Sequence, residues 1–359
     1  MKILLATPLY PPEIGGPATY ARFLENEIPK HGSSIKILKF SDVRKYPAGI
    51  RHILFFFKVL RRGRKFDVIF AQDAFSVALP SILAAKILSK PFIVRIPGDF
   101  AWEQGRQRFG VVDDIVSFQK KKYGWRVEFY RKIQFWIVRN ADRVLAPSEF
   151  FANLVSGWMN GKRAVALYNG LDIDLIKSYS RQKENKYLEI ISSGRMVNWK
   201  GFDSLIELVS RNPKWRLSLV GDGPELENLK DLSAKLNVKE RVIFLGKLDQ
   251  NKLWEKISES DVFVLNSSFE SFSFQVVEAM SLGLPVIATT GCNLGEIITD
   301  GREGFLVPPQ SQISLGKAIA QIKDTNLRRK MGALAKIKSE EFSIKKTAEK
   351  LLGICKELV

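Results

Sequence analysis

The chain has 359 residues, 45% hydrophobic and 26% charged, which fits a globular protein of about two domains and excludes a disordered or fibrous one. Its 56 Lys and Arg against 38 Asp and Glu give a formal net charge of +18, unevenly spread: 29 basic against 15 acidic residues up to position 180, and 27 against 23 beyond it. Two cysteines, Cys292 and Cys355, and two histidines exclude a disulfide framework and a Cys- or His-rich metal centre, and fit a reducing, cytoplasmic setting.

The opening MKILLATPLY has one Lys and a short apolar run that meets Pro8, so no signal peptide is expected, and no uncharged stretch approaches the ~18 residues that cross a bilayer. Strand-length apolar runs follow at 2–6, 35–38, 67–71, 92–96 and 143–146, with helical spacing at 18–30, 50–62 and 76–88 between them. Val, Ile and Leu runs without polar alternation predict strands buried on both faces, hence a parallel sheet covered by helices, the doubly wound α/β pattern. A polar stretch at 174–187 is expected to be a linker. The pattern restarts at 188–194, 216–221, 242–246, 262–265, 285–288 and 304–307, and closes with helices near 312–323, 327–340 and 344–357. Two such domains, 1–173 and 188–343, are expected to face one another across a cleft lined by strand C-terminal ends.

Two constellations in the second half carry chemistry. Ser192-Ser193-Gly194-Arg195 ends a strand and leads through Asn198-Trp199-Lys200-Gly201 to a helix opening near Phe202. Two cations beside a helix N-terminus suit an anion such as a diphosphate, because free N–H groups and the helix dipole favour negative charge. Solvated loop cations are the alternative. The second constellation runs from Glu270, in the loop after the strand at 262–265, to Glu278, inside a helix that begins near Ser273 and is closed by Gly283 and Pro285. The amides of Phe272, Ser273, Phe274 and Gln275 would point at an anion on the helix start, and the flanking carboxylates suit sugar or ribose hydroxyls.

Glu270 and Glu278, with seven residues between them, resemble the E-x7-E signature of retaining, nucleotide-sugar-dependent glycosyltransferases of the GT-B fold, the large family 4. Arg195 and Lys200 are similar to that family's R…K pair, and Val220-Gly221-Asp222-Gly223-Pro224 to its G-x-G-P turn. Gly15-Gly16 resembles its N-terminal glycine-rich loop, and Tyr168-Asn169-Gly170-Leu171-Asp172 the segment leading into its linker. The resemblance covers nearly the whole chain. It implies two Rossmann-like domains around a central cleft, with the helix at 344–359 crossing back to the first. Arg195 and Lys200 would neutralise the donor diphosphate, where charge develops as the glycosidic bond breaks. Glu270 would bind hydroxyls of the sugar, Glu278 the ribose, and Gly246-Lys247-Leu248 the base. Gly194, Gly221 and Gly16 would let backbone approach the donor. The resemblance implies no separate cofactor and no metal; the donor would be a UDP-sugar or GDP-sugar.

One departure concerns the segment after 92–96. Many family members have a His there; this chain reads Arg95-Ile96-Pro97-Gly98-Asp99-Phe100. Asp99 either replaces that His as hydrogen-bond acceptor or base, or is an ordinary turn Asp. Asp172-Ile173-Asp174 spells a D-x-D metal motif but stands away from the diphosphate site and reads as structural. His31 and His52 read as surface residues.

The basic excess of the first half concentrates in Arg51–Lys65 and Lys120–Trp136, where cations and aromatics interleave. An anionic membrane surface would suit both features. For the first segment, buried aromatics with solvated cations is the expected arrangement; the second has more aromatic residues than one buried stripe needs. No nucleic-acid module is recognisable, and none is expected as partner. The expected activity is transfer of a hexose to a lipid-linked or saccharide acceptor, peripheral on the inner membrane face or in the cytoplasm. A sugar-nucleotide epimerase, a phosphorylase or a non-catalytic homologue are the alternatives.

Overall fold

The computed structural model describes residues 1–13, 15–179, 186–291 and 294–359. Its contacts divide the chain into two compact units, Met1–Gly170 with Ile344–Val359, and Leu171–Ser343. Cys292 lies outside the described residues.

The first unit runs β1 (Lys2–Thr7), α1 (Gly16–Glu27), β2 (Ser34–Lys39), α2 (Ala48–Gly63), β3 (Val68–Ala71), α3 (Ala78–Leu88) and β4 (Phe92–Arg95). It continues with α4 (Phe100–Arg108), α5 (Ile115–Lys120), α6 (Trp125–Asn140), β5 (Arg143–Ala146), α7 (Glu149–Ser156) and β6 (Val165–Ala166). The strands form one sheet, order β2-β1-β3-β4-β5-β6, and every pairing is parallel. All four residues of β3 and of β4 are buried, as expected of strands covered on both faces.

The second unit opens with α8 (Ile173–Lys177) and alternates β7 (Leu188–Ser193), α9 (Phe202–Arg211), β8 (Trp215–Val220), α10 (Leu226–Lys235), β9 (Val242–Gly246) and α11 (Gln250–Ser258). Then come β10 (Val262–Leu265), α12 (Phe274–Ser281), β11 (Val286–Thr289), α13 (Leu294–Ile297), β12 (Gly304–Val307), α14 (Gln312–Gln321) and α15 (Thr325–Ser339). These strands make a second all-parallel sheet, order β12-β11-β10-β7-β8-β9. Its core runs from Ile190 and Leu217 on the sheet to Leu205, Ile206 and Ile319 on the covering helices.

One expectation changes. Residues 174–177 of the expected linker belong to α8, which Asp172 caps by accepting from Leu175 N and which buries Ile173 and Ile176. Its polar look is the outer side of a short helix; residues 180–185 of that linker lie outside the described residues. The final helix, α16 (Ile344–Lys356), clusters with the first unit. There Thr347 Oγ1 donates to Tyr168 O (3.1 Å), Lys350 Nζ to Ala166 O (2.8 Å), and a Cβ on Gly170 would fall 2.5 Å from Ile344 Cα. Among the described residues no helix is long and apolar enough to cross a membrane.

Candidate active site

In an open parallel sheet, ligands gather at the strand C-terminal ends where the strand order reverses. In the second unit that point lies between β7 and β10, because β8 and β9 extend one way and β11 and β12 the other. Lys200 comes from the loop after β7 and Glu270 from the loop after β10, and their side chains form an ion pair across this point. Both are 14% exposed. Two further bonds knit the loops: Asn266 Nδ2 donates to Gly201 O (3.0 Å) and Ser268 N to Trp199 O (2.8 Å). Gly201 has φ +63, and a Cβ there would meet Asn266 Nδ2 at 2.4 Å, so glycine is required on both counts.

The loop after β8 closes on the same place. Met196 N donates to Asp222 O (3.0 Å) and Gly194 N to Val220 O (2.9 Å). Gly221 has φ +134, and a Cβ on it would lie 1.9 Å from Gly194 O. Lys247, after β9, pairs with Asp222 at 3.0 Å, and this hydrogen bond holds the Asp222 carboxyl below the usual range. Gly246, Gly194 and Gly221 therefore stand on neighbouring strand ends. Arg195 is exposed and has no ion pair among the described residues.

Helix α12 starts where the sequence places it. Ser273 is its N-cap and accepts from Val276 N (3.3 Å). Phe274 and Gln275 occupy the first turn, whose N–H groups have no acceptor within the helix; Phe272 and Ser273 are buried. Glu278 sits one turn in, 2% exposed, and accepts a hydrogen bond from Gln250 Nε2 at the start of α11. Burial pushes its carboxyl up to about 7, only partly offset by Trp254 and Gln250. Sequence reading missed Gln250, which is 28 residues away and meets Glu278 only through the fold.

In the first unit Gly15, with φ +153, is the N-cap of α1 and Gly16 its first residue; Gly15 O accepts from Ala18 N and Thr19 N. Asp99 requires a correction. It is 1% exposed, caps α4 through Trp102 N (3.1 Å), and accepts from Gln134 Nε2 (2.9 Å) and Gln119 Nε2 (2.8 Å). Both carboxylate oxygens are occupied by protein donors, so Asp99 is a buried cap rather than an open base. Glu103, one turn on, was not singled out from sequence. Burial, with the charge of Asp99 beside it, pushes its carboxyl up to about 7. His31 pairs with Glu27, and His52 rests against Phe40.

The basic segments are also rearranged. Lys120–Trp136 is not one helix: α5 ends at Lys120 and α6 begins at Trp125. Arg131 is internal, donating to Phe118 O and Lys121 O (3.0 Å each), while Trp125, Phe129 and Trp136 stay exposed. In Arg51–Lys65 the expected burial of the aromatics fails in part: Phe55 is buried, but Phe57 is 57% exposed. Helix α2 is apolar on two sides and only one is covered.

A lysine and a carboxylate paired across the switch point, beside the first turn of α12, define a parallel-sheet site suited to a phosphorylated, hydroxyl-rich ligand. Residues 12–175 match the family described as Glycosyltransferase Family 4, and residues 176–338 the family Glycosyl transferases group 1. The two matches adjoin, and the chain belongs to this glycosyltransferase family, with the two-domain α/β architecture of the GT-B fold. It is 32% identical over 199 residues to the lipopolysaccharide core biosynthesis glycosyltransferase LpsE of Rhizobium meliloti, covering 54% of this chain and 57% of that one. Of an uncharacterized glycosyltransferase of Haemophilus influenzae, 30% identical, the match covers 62%; this chain thus spans about six-tenths of these relatives. A solved structure of Anabaena HepE in complex with UDP-glucose has a TM-score of 0.78 at 19% identity, all of both chains covered. The lipopolysaccharide outer core galactosyltransferase WaaB gives 0.71 at 17%, covering 98% of this chain and 99% of that one.

Proposed function

We propose that the chain transfers a hexose, with retention, from a UDP- or GDP-sugar to a lipid-linked or saccharide acceptor, in the synthesis of a cell-surface polysaccharide or glycolipid. The observation that carries this reading is the Lys200–Glu270 pair at the switch point of the second sheet. A donor diphosphate on the first turn of α12 would draw Lys200 from Glu270, and Glu270 would then be free to accept from hydroxyls of the sugar. Arg195, exposed and unpaired, would meet the second phosphate. Charge on the leaving diphosphate grows as the glycosidic bond breaks, so cations fixed beside it favour the transition state over the ground state. Arg195 and Lys200 supply that positive charge without a metal. The leaving phosphate would accept the acceptor's proton, so no separate base is invoked.

Glu278 would bind the ribose in exchange for Gln250, and the backbone at Gly246–Lys247 would meet the base. LpsE is named for lipopolysaccharide core biosynthesis and WaaB as an outer core galactosyltransferase, which supports a glycan of the cell surface as the product. Action at the inner membrane face follows if the acceptor is lipid-linked. A thermal-shift panel of UDP-, GDP- and ADP-sugars tests the donor, since a ligand that binds only the folded state raises its melting temperature. UDP- or GDP-sugars should shift the wild type, with and without a metal chelator, and shift Lys200→Ala much less. Absence of any nucleotide-sugar shift, or a product formed without acceptor, would overturn the reading.

A further inference from the structure

Helix α2 turns Phe55, Val59 and Gly63 inward, where they are buried. Ile50, Ile53 and Phe57, spaced by three and four residues, are 50%, 57% and 57% exposed. Helix α3 packs along α2 and adds Leu83 and Ile87, 42% and 65% exposed. Between the two helices runs a groove of about 370 Å³ whose lining includes Ile53, Phe56, Phe57, Leu79 and Leu83. Lys86 of α3 lies 5.3 Å from the ring centre of Trp136, which carries the apolar face on to α6. An exposed apolar face of this extent marks an interaction surface.

The charge around the face identifies what covers it. Residues 43–66 and 74–98, which contain α2 and α3, hold no Asp or Glu. Arg61, Arg62, Arg64 and Lys65 stand exposed at the end of α2, without an ion pair among the described residues. A second copy of this chain would set these cations against their like. Anionic headgroups over hydrocarbon complement both the cations and the apolar ridge, and Trp136 at the edge suits the headgroup layer.

We propose that the α2–α3 face docks the chain on an anionic bilayer, with Ile53, Phe57 and Leu83 entering the boundary between headgroups and acyl chains and Arg61 and Arg62 meeting lipid phosphates. The proposal rests on the reading that the acceptor is lipid-linked, and it names the surface through which the enzyme would reach that acceptor. The test is flotation of the full chain with vesicles of phosphatidylglycerol in phosphatidylcholine and with phosphatidylcholine alone. The chain should float with the anionic vesicles only. The double variant Phe57→Asp, Leu83→Asp should lower binding by more than about tenfold, since each aspartate must leave water at the boundary. Arg61→Glu with Arg62→Glu should lower it about tenfold at low salt and less at high salt, because headgroup attraction is screened. The thermal shift given by the nucleotide sugar should be unchanged in both variants, which separates a failure of docking from a failure of the donor reading. Flotation of the Asp variant at wild-type level, or no flotation of the wild type, would overturn the proposal. So would a wild-type dimer in sedimentation that Phe57→Asp dissociates, since a second copy would then occupy the face.

Discussion

Six parallel strands build each unit, yet the sheets reverse at different places: between β1 and β3 in the first, between β7 and β10 in the second. The polar residues at the strand ends differ more than the scaffold does. In the first unit Asp73 accepts three amides, from Phe75, Val77 and Ala78, Asp99 caps α4, and Arg95 donates to Asn169. Those groups are bound to the backbone and to fixed side chains. In the second unit Lys200 and Glu270 are bound to one another, and Arg195 to neither. A side-chain ion pair can be exchanged for a ligand's charges, whereas a helix cap cannot be surrendered without loosening its helix. Charges held by exchangeable side-chain partners, as at Lys200 and Glu270, are open to a ligand, and charges committed to helix caps are not. The first unit's spare charge lies instead on the outer faces of its helices.

Lys200→Ala should have the largest effect. Turnover should fall by about 10²–10³-fold, the usual consequence of removing one group that stabilises developing charge, with the melting temperature little changed. A transfer assay checks it, and near-normal turnover would place the chemistry elsewhere. Gly221→Ala should act on stability instead. Its Cβ would sit 1.9 Å from Gly194 O at φ +134, so strain and loop displacement together should cost about 3 kcal/mol or more. For a unit of this size that lowers the melting temperature by roughly 6–12 °C, measurable by calorimetry.

Glu278 offers a pH test. Its carboxyl in the folded protein titrates near 7, above the usual 4.5, so the folded state keeps a proton that the unfolded chain releases. The sign follows: this group's favourable contribution is complete below about pH 4.5 and lost as pH rises through about 7, a decline of about 3 kcal/mol. Glu278→Gln retains an acceptor for Gln250 and carries no proton to lose. Urea unfolding at pH 5 and pH 8 should show a flatter profile for the variant and greater stability than wild type at pH 8. A wild-type profile with no fall across this range would show that Glu278 is not held protonated.

Much of this was legible in the chain. The strands at 143–146, 242–246, 262–265 and 304–307 coincide with their apolar runs: β10 is buried throughout, and the edge strands β9 and β12 keep their apolar runs although they are covered only in part. Strand β6 is only Val165–Ala166, too short to leave a periodic signal. In the site, the spacing of Glu270 and Glu278 and the order of Arg195 and Lys200 could be read directly. The ion pair could not, since 70 residues separate its partners and β10 must be laid beside β7 first. Helix α2 shows the limit most plainly: Phe55 and Phe57 are the same residue type two positions apart, and Phe55 is covered because the fold sets Phe40 against it, 5.3 Å between ring centres, while Phe57 stays outside.

The smallest expected effect separates the two units most cleanly. Asp99→Asn keeps a carbonyl for Trp102 N and Gln134 Nε2 but turns an NH₂ toward Gln119 Nε2. Gln119 cannot flip to meet it, because its Oε1 already accepts from Trp158 Nε1 at 2.9 Å. One buried hydrogen bond is therefore lost, at about 1–2 kcal/mol, while removal of a carboxylate whose burial raises its pKa offsets part of that. The net destabilisation should be about 1 kcal/mol, and turnover should stay within about threefold of wild type, since no reacting group has changed. Stability and transfer measured on the same preparation decide between cap and base. A hundredfold loss of turnover with unchanged stability would give Asp99 the role of the family's missing His, and would show that a capping carboxylate can be released to a substrate after all.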